Sequence, residues 1–180
     1  MLIQTDRIGL RAWLETDKPD FAAMNKNPNI MEFLGPALSR EKSDAAADKQ
    51  NALIESGEPA FWAIERSVDK VFMGFVGVKK INFETDFTPG YEIGWRLGEA
   101  HWGHGFATEG AKAALEYAFS NWPMDCIFSF TVPANIRSQS VMKKIGMTRI
   151  VDGDFDHPNL RADDPLRRHV LYQINRPGLG

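Results

Sequence analysis

The spacing of hydrophobic and polar positions along the chain predicts seven strands. Ile8 to Trp13 alternates apolar residues with small or charged ones, as a strand with one buried face does. Aromatic and β-branched runs separated by polar turns then predict six more strands, over residues 61–65, 71–81, 91–97, 126–132, 147–151 and 168–174. The stretch between the last two, residues 152–165, is rich in aspartate and is predicted to be a loop.

Helix start and stop signals predict four helices. Thr16 and Asp17 can cap the first, which Pro28 ends, and Ser39 begins the second, which Gly57 closes. The other two are predicted over residues 107–120 and 135–146. This order predicts an α/β (α+β) fold with a mixed, partly antiparallel central sheet of about seven strands and helices on both faces. The strand–helix–strand unit at residues 91–132 should be a parallel crossover.

Length and composition limit the possible classes of protein. The 180 residues suit a single domain spanning 1–180, and their net charge of −3 argues against a partner held by its phosphates, such as a nucleic acid. No apolar run reaches the roughly 18 residues that span a bilayer, and the N-terminus lacks the layout of a signal peptide. Cys126 is the only cysteine, so internal disulfides and thiol metal clusters are excluded. We therefore expect a cytoplasmic protein without membrane or nucleic-acid partners and without a metal.

Two glycines stand directly before the third predicted helix, in the order Gly103-His104-Gly105. Without Cβ atoms the backbone can turn sharply there and approach a ligand closely. The helix start offers unpaired N–H groups and the positive end of the helix dipole, and Thr108 adds a hydroxyl in the first turn. The pattern favours phosphate binding. On the glycines alone, a turn that only connects strand to helix is the alternative.

Two familiar phosphate-binding motifs do not fit this turn. A P-loop requires a Gly-Lys-Ser/Thr triplet, which is absent from the sequence. A dinucleotide fold requires a third glycine at the position of Thr108 and an acid at the end of the next strand, which reads Thr131-Val132-Pro133. Both motifs are therefore weakened as explanations of the turn.

The turn resembles the signature of the GNAT superfamily of N-acetyltransferases. Residues Trp102 to Ala107 are similar to the pattern Q/R-x-x-G-x-G/A, in which Gly105 and Ala107 match and Trp102 replaces Gln or Arg. With this replacement the turn is similar to the ribosomal-protein N-acetyltransferase (RimJ/RimL-like) branch, whose members acetylate N-terminal Ser or Ala. Residues 135–147 also follow the branch pattern Asn-x-x-Ser…Lys-x-Gly-Phe/Met. The resemblance covers most of the chain.

The resemblance implies a GNAT fold and transfer of an acetyl group from acetyl-CoA to an amine. The backbone N–H groups of the turn would bind the pyrophosphate, and the strand at residues 91–97 would run beside the pantetheine arm. In the family this strand diverges from its neighbour, and Gly94 would ease the opening. The cofactor-binding residues predicted in this way are Trp95, Leu97, Trp102, Gly103, His104, Gly105, Phe106, Ala107, Thr108, Asn135 and Ser138.

The catalytic groups are harder to assign. By resemblance, Ser138 lies near the sulfur as a donor to the departing thiolate, because Met142 occupies the place of the usual tyrosine acid. Asn135 would contact the pantetheine, although after Pro133 it can equally be read as a helix cap. Glu92 is the candidate base, working through a water, unless strand alternation turns it to solvent. Glu32, His101 and His104 are weaker candidates for the base.

Three further features concern mechanism and partners. Cys126 next to Asp125 should have a raised thiol pKa and pack in the core, which favours direct transfer in a ternary complex over an acyl-cysteine. Trp62, Trp95, Phe83 and Phe87 could line an acceptor cleft, although aromatic residues on strands mostly pack in the core. The acceptor could be a protein N-terminus or a small amine such as an amino acid, polyamine or antibiotic. The chain could instead be a non-catalytic acyl-CoA sensor, and either a monomer or a homodimer is compatible with the resemblance.

Overall fold

Nine strands form one mixed sheet in residues 2–178, the part of the chain that the computed structural model describes. The strands are β1 (Ile3–Gln4), β2 (Ile8–Arg11), β3 (Phe61–Arg66), β4 (Phe72–Lys80), β5 (Tyr91–Leu97), β6 (Cys126–Thr131), β7 (Thr148–Arg149), β8 (Phe155–Asp156) and β9 (Arg168–Asn175). Their order is β1-β2-β3-β4-β5-β6-β9-β7, and β8 pairs with β9. Every pairing is antiparallel except the parallel contact of β5 with β6. The mixed, partly antiparallel sheet predicted from sequence is confirmed.

Five α-helices cover the sheet. They are α1 (Lys18–Met24), α2 (Pro28–Met31), α3 (Arg40–Glu55), α4 (Phe106–Asn121) and α5 (Ile136–Lys144). Buried residues of α4 and α5 join one hydrophobic cluster, and those of α1, α2 and α3 join another. Side chains alternate along β3, so that Trp62 and Ile64 enter the first cluster and Ala63 the second. Helices therefore lie on both faces, as predicted.

The count of about seven strands was too low. All seven predicted strands exist, but the hairpin strand β1 and the strand β8 inside the acidic loop add two more, each of two residues. A two-residue strand is too short to show an alternating pattern, and both form by pairing with a longer neighbour, β2 or β9. The strand predicted at residues 147–151 is shorter than expected. It spans only Thr148–Arg149 and also pairs with β9.

Pro28 was interpreted only as the end of a helix, and it also begins one. It is the first residue of α2, whose N-cap Asn27 accepts hydrogen bonds from the N–H groups of Asn29 at 2.9 Å and Ile30 at 3.4 Å. Proline suits this position because its missing N–H would have no partner in the first turn. The helix was missed because four residues carry too little periodicity to predict it.

Helix α4 lies unusually close to the sheet because of Gly110. A Cβ on this residue would come within 3.0 Å of Val76, 3.2 Å of Ile64 and 3.3 Å of Ile8, on three strands. The N-terminus of α4, at Gly105, follows the end of β5 at Leu97 by only eight residues. No helix within residues 2–178 is both long enough and apolar enough to cross a membrane.

We expect Gly110→Leu to destabilise the protein. The change gains about 0.8–1.0 kcal/mol in helix propensity, but overpacking typically costs about 1–3 kcal/mol, and even the first added carbon meets three side chains. The free energy of unfolding, measured with urea, should fall by about 1–2 kcal/mol. Lys112→Leu, on the exposed side of the same helix, is the control and should stay within about 0.5 kcal/mol of wild type. Equal stability of the two variants would contradict this account of the packing.

Candidate active site

Strands β5 and β6 pair at one end and separate at the other. Their only registered pair within residues 2–178 is Glu92 with Phe128. One residue further on, the Ser129 hydroxyl donates to the Ile93 carbonyl at 3.0 Å, so a side chain replaces the backbone ladder. Beyond that point β5 is paired with β4 alone. The sheet therefore has an internal opening next to Glu92.

The backbone groups that face this opening follow from the β4–β5 ladder. The Gly98 N–H donates to the Met73 carbonyl at 2.9 Å, and bonded positions alternate along an antiparallel pair. Ile93, Trp95 and Leu97 therefore direct their backbone groups away from β4, toward β6. The peptide groups of Trp95 lie beyond the last ladder position, where a ligand with amide groups can pair with them as another strand would.

Gly94 lies on β5 next to the opening. A Cβ there would lie 3.0 Å from the ring of Phe61, so the missing side chain makes room for this ring. The ladder between β4 and β5 runs without a register shift from Tyr91 to Leu97. The separation thus follows the course of β6, and the expectation that Gly94 eases it stays a prediction.

The glycine turn has the geometry that the sequence suggested. Gly103 and Gly105 have φ angles of +78° and +81°, which residues with a Cβ rarely adopt. Trp102, at the start of the turn, donates from its indole nitrogen to the Leu97 carbonyl at 2.9 Å. This bond fixes the turn to the end of β5. It also occupies the carbonyl of Leu97, whose side chain is buried.

The N-terminus of α4 has no side-chain cap. Gly105 is its N-cap, whereas Ser39 and Asn135 cap α3 and α5 through their side chains. The first N–H groups of a helix have no intrahelical partner, so those of α4 point outward from an exposed glycine turn. This arrangement suits an anion such as a diphosphate. Thr108 lies half-buried in the first turn, within this N-terminal group.

Arg7 holds the turn from outside. Its Nη1 donates to the His104 carbonyl at 3.0 Å, its Nε donates to Glu109 at 2.7 Å, and its guanidinium lies 5.0 Å from the Phe106 ring centre. Thr5 adds a 2.6 Å hydrogen bond to Glu109. Arg7 is about a hundred residues from the turn, so no local sequence pattern predicts this role.

Asn135 is a helix cap in this structure. Its Oδ1 accepts from the Ser138 N–H at 3.1 Å, and its Nδ2 donates to the Thr131 hydroxyl at 3.0 Å. The cap interpretation is confirmed, and contact with a cofactor stays a prediction. The half-buried Ser138 hydroxyl has no hydrogen bond to any described residue. Met142 is fully buried in the core, so α5 carries no acid at that position.

Arg137 connects three elements around the opening. Its guanidinium lies 4.2 Å from the ring centre of Trp102, and its Nη2 is 3.2 Å from a carboxylate oxygen of Glu32. Helix α5, the glycine turn and the C-terminal end of α2 therefore meet at one side chain. Glu32, a candidate base, is more than half exposed and is already paired with this arginine.

Glu92 is buried, so the alternative that it points to solvent was wrong. Its side chain is 13% exposed, and one carboxylate oxygen lies 3.1 Å from Nζ of Lys79. Burial raises the pKa of Glu92, and the nearby Lys79 ammonium offsets only part of this effect. A carboxylate with a raised pKa is a better proton acceptor near neutral pH than an exposed one.

The other titratable candidates are less suited to the chemistry. Burial lowers the pKa of His101, and His104 is exposed beside the turn. Burial, with a contribution from Asp125, raises the pKa of the Cys126 thiol as expected. The thiol is only half-buried, however, and does not belong to the core. Residues 2–178 contain no cluster of His, Cys, Asp or Glu that could hold a metal ion.

Aromatic rings extend from Glu92 across the same face of the sheet. Phe128, the register partner of Glu92, contacts Phe87 at a ring-centre distance of 5.2 Å, and the half-buried Phe83 contacts Phe130 at 5.6 Å. The loop that carries Phe83 lines an open cavity of about 580 Å³. Of these rings Phe83 lines the cavity, and a role for them in an acceptor cleft stays a prediction.

Comparison with known proteins agrees with the fold. A family model described as an acetyltransferase (GNAT) domain matches residues 7–148. The uncharacterized N-acetyltransferase YnaD of Bacillus subtilis (strain 168) is 31% identical over 151 residues, which are 83% of this chain and 84% of that protein.

Two solved structures share the fold. An acetyltransferase from Salmonella typhimurium that modifies the N-terminal serine of a 50S ribosomal subunit protein has a TM-score of 0.75 at 16% identity, covering 95% of this chain and 96% of that one. Spermidine N-acetyltransferase from Vibrio cholerae, in complex with CoA and spermine, has a TM-score of 0.74 at 20% identity, with 96% and 97% covered. Because the family model covers most of the chain, the protein belongs to the GNAT family of acetyltransferases.

Proposed function

We propose that the protein transfers an acetyl group from acetyl-CoA to a primary amine by direct attack in a ternary complex. The observation that carries the proposal is the continuity of two binding features. The open edge of β5 at Trp95 leads directly into the uncapped N-terminus of α4 at Gly105. A ligand with amide groups at one end and a diphosphate at the other, such as coenzyme A, matches this order.

In the proposed complex the turn binds the pyrophosphate and β5 binds the pantetheine arm. The N–H groups of residues 103–108 and the Thr108 hydroxyl would surround the diphosphate. Trp95 and Leu97 would border the pantetheine, with the second hydrogen of the Asn135 amide directed to it from α5. The Vibrio cholerae spermidine N-acetyltransferase of the same fold was solved with CoA, which supports this choice of ligand.

Each step of the reaction has a candidate group. The acceptor amine attacks the thioester carbonyl, and Glu92 removes its proton through a water. The negative charge that forms on the carbonyl oxygen needs a fixed donor, for which the Trp95 N–H beyond the ladder is available. The C–S bond then breaks, and the Ser138 hydroxyl donates a hydrogen bond to the departing thiolate, which takes its proton from water. The proton held by Glu92 returns to water, so both side chains end the cycle unchanged. The products are the acetylated amine and free coenzyme A.

Two observations leave the acceptor open between a protein N-terminus and a small amine. The Salmonella typhimurium neighbour modifies an N-terminal serine, and the Vibrio cholerae neighbour is named for spermidine. The buried Met142 in place of a tyrosine acid keeps the second possibility, a non-catalytic acyl-CoA sensor, under consideration.

Release of coenzyme A thiol in the presence of acetyl-CoA and an amine tests the activity. The acceptors should include peptides that begin with Ser or Ala, free amino acids and polyamines. We expect turnover with at least one class and stoichiometric acetylation of the amine by mass spectrometry. Tight acetyl-CoA binding without turnover on any amine would identify the protein as a sensor instead.

Replacement of Gly103 by valine should weaken coenzyme A binding at least about tenfold, or about 1.4 kcal/mol, because a side chain at this φ distorts the turn. Gly57→Val is a matched control, since Gly57 has a φ of +75° and, like Gly103, has no atom within 4 Å of its added Cβ. Both variants carry the same backbone strain, but only one alters the turn. Calorimetric affinities that fall equally in the two variants would refute the proposed pyrophosphate site.

The pH dependence of turnover tests Glu92. Activity of a carboxylate base is lost as pH falls through its folded-state pKa, which lies above the ordinary 4.5 in this case. Lys79→Met removes the charge that favours the ionised form, so the acidic limb of kcat/KM should move to higher pH. Glu92→Gln should lower kcat by about 10²–10⁴-fold. With one acceptor used throughout, an unchanged limb in Lys79→Met would exclude Glu92 as the base.

A further inference from the structure

Arg96 is a half-buried arginine with a buried Nε and without a counter-charge. It lies on β5 two residues beyond Gly94 and four beyond Glu92, so all three share one face of the strand. Its guanidinium is 5.3 Å from the ring centre of Phe75 and reaches the junction of α1 and α2. No carboxylate oxygen of residues 2–178 lies within 4 Å of its nitrogens.

The contacts of Arg96 are with neutral groups. Its Nη1 donates to Oδ1 of Asn25 at 2.5 Å and lies 3.9 Å from the sulfur of Met31. Asn25 is itself fixed, since it is fully buried and its Nδ2 donates to Ser43 at 3.1 Å. The Nε of Arg96 is buried and has no hydrogen-bonding partner among the described residues.

Such an arrangement is costly unless a ligand completes it. An arginine buried without a negative partner loses hydration that neutral contacts replace only in part. The burial lowers the pKa of Arg96 to about 10, so the side chain is still protonated at neutral pH. By contrast, the buried Arg11 is bonded to both Asp17 and Glu65.

The unused edge of Arg96 has the shape that carboxylates bind. Arg66 binds Asp69 through Nε at 2.9 Å and Nη2 at 2.6 Å, and Arg161 binds Asp163 through the same two nitrogens. In Arg96 neither Nε nor Nη2 has a hydrogen-bond partner within residues 2–178, because only Nη1 is engaged. Nε is covered by the protein whereas Nη2 is open, so a carboxylate would contact Nη2 first and Nε after a small adjustment of the side chain. Two parallel N–H donors match the two oxygens of a carboxylate.

We propose that Arg96 binds a carboxylate group of the acceptor, so that the preferred substrates are amines that carry a carboxylate. This inference rests on the proposed function, since Glu92 on the same face is the base that would accept the amine proton. The Cα atoms of Glu92 and Arg96 are about 13 Å apart along the strand, which leaves room for the amine between two long side chains. The carboxylate could be that of a free amino acid or an acidic side chain near a peptide N-terminus.

Paired acceptors that differ only in this group provide the test. One arm compares amino acids with their amides, and the other compares Ser- or Ala-initiated peptides that carry Asp or Glu with those that carry Asn or Gln. We expect wild type to favour the acids at least about tenfold in kcat/KM, and Arg96→Met to reduce this preference to about twofold or less. The arm that shows the preference identifies the source of the carboxylate.

Control variants separate recognition from folding and from general electrostatics. Lys112→Met removes the same charge from the exposed side of α4 and should keep the full acid preference. Asn25→Asp supplies Arg96 with an internal carboxylate and should also reduce the preference, which provides a second test if Arg96→Met does not fold. Affinity for acetyl-CoA, measured for each variant, reports whether the rest of the site is intact.

The possible failures can be distinguished. A wild type without acid preference, or a variant that loses acids and amides equally, would assign Arg96 a structural role and leave the acetyltransferase proposal standing. Equilibrium binding of the same acceptor pairs to the coenzyme A complex gives the preference without turnover. If no amine is acetylated, the proposed function fails, whereas acid-selective binding that depends on Arg96 would still support this site.

Discussion

The registered pair between Glu92 and Phe128 marks the point at which β5 and β6 stop pairing, and the rest of the candidate site depends on this separation. On one side of it β5 and β6 belong to a continuous sheet, and on the other they separate, so that the peptide groups of Trp95 face an opening. Because α4 connects the two strands and lies close to the sheet at Gly110, its N-terminus must begin next to this opening. The open strand edge and the outward-pointing N–H groups are therefore consequences of one crossover, and together they form a continuous polar track.

The turn is held by one contact to the preceding strand and one to the start of the chain. The indole of Trp102 bonds to the end of β5, and Arg7 bonds to the His104 carbonyl from the first hairpin. These bonds keep the two glycines in left-handed conformations without occupying their N–H groups. The Trp102 ring also supports the guanidinium of Arg137 from α5. A residue that departs from the signature thus has a clear structural role.

The two faces of β5 have different chemical characters. Ile93 and Leu97 join the hydrophobic cluster with α4, whereas the opposite face carries Glu92, its partner Lys79 and Arg96, which has no ion-pair partner within residues 2–178. Burial affects these charges in the same sense, because it disfavours ionisation of the carboxyl and of the guanidinium. Such charges are costly to retain in a folded protein, and a reacting amine with a carboxylate would use both.

What the sequence determined by itself was local. Periodicity located the seven predicted strands and four of the five helices, and the two glycines at 103 and 105 identified the turn. Periodicity and turn-forming glycines both depend on residues adjacent in the chain. The tertiary structure alone decided which way Glu92 faces and which groups Arg7, Arg96 and Arg137 contact. These outcomes depend on strand register, on the divergence of β6 and on contacts between residues 71 to 105 positions apart, such as Arg96 with Asn25 and Arg137 with Glu32. Local propensity contains no information about such contacts, because they form only when the sheet and its helices pack together.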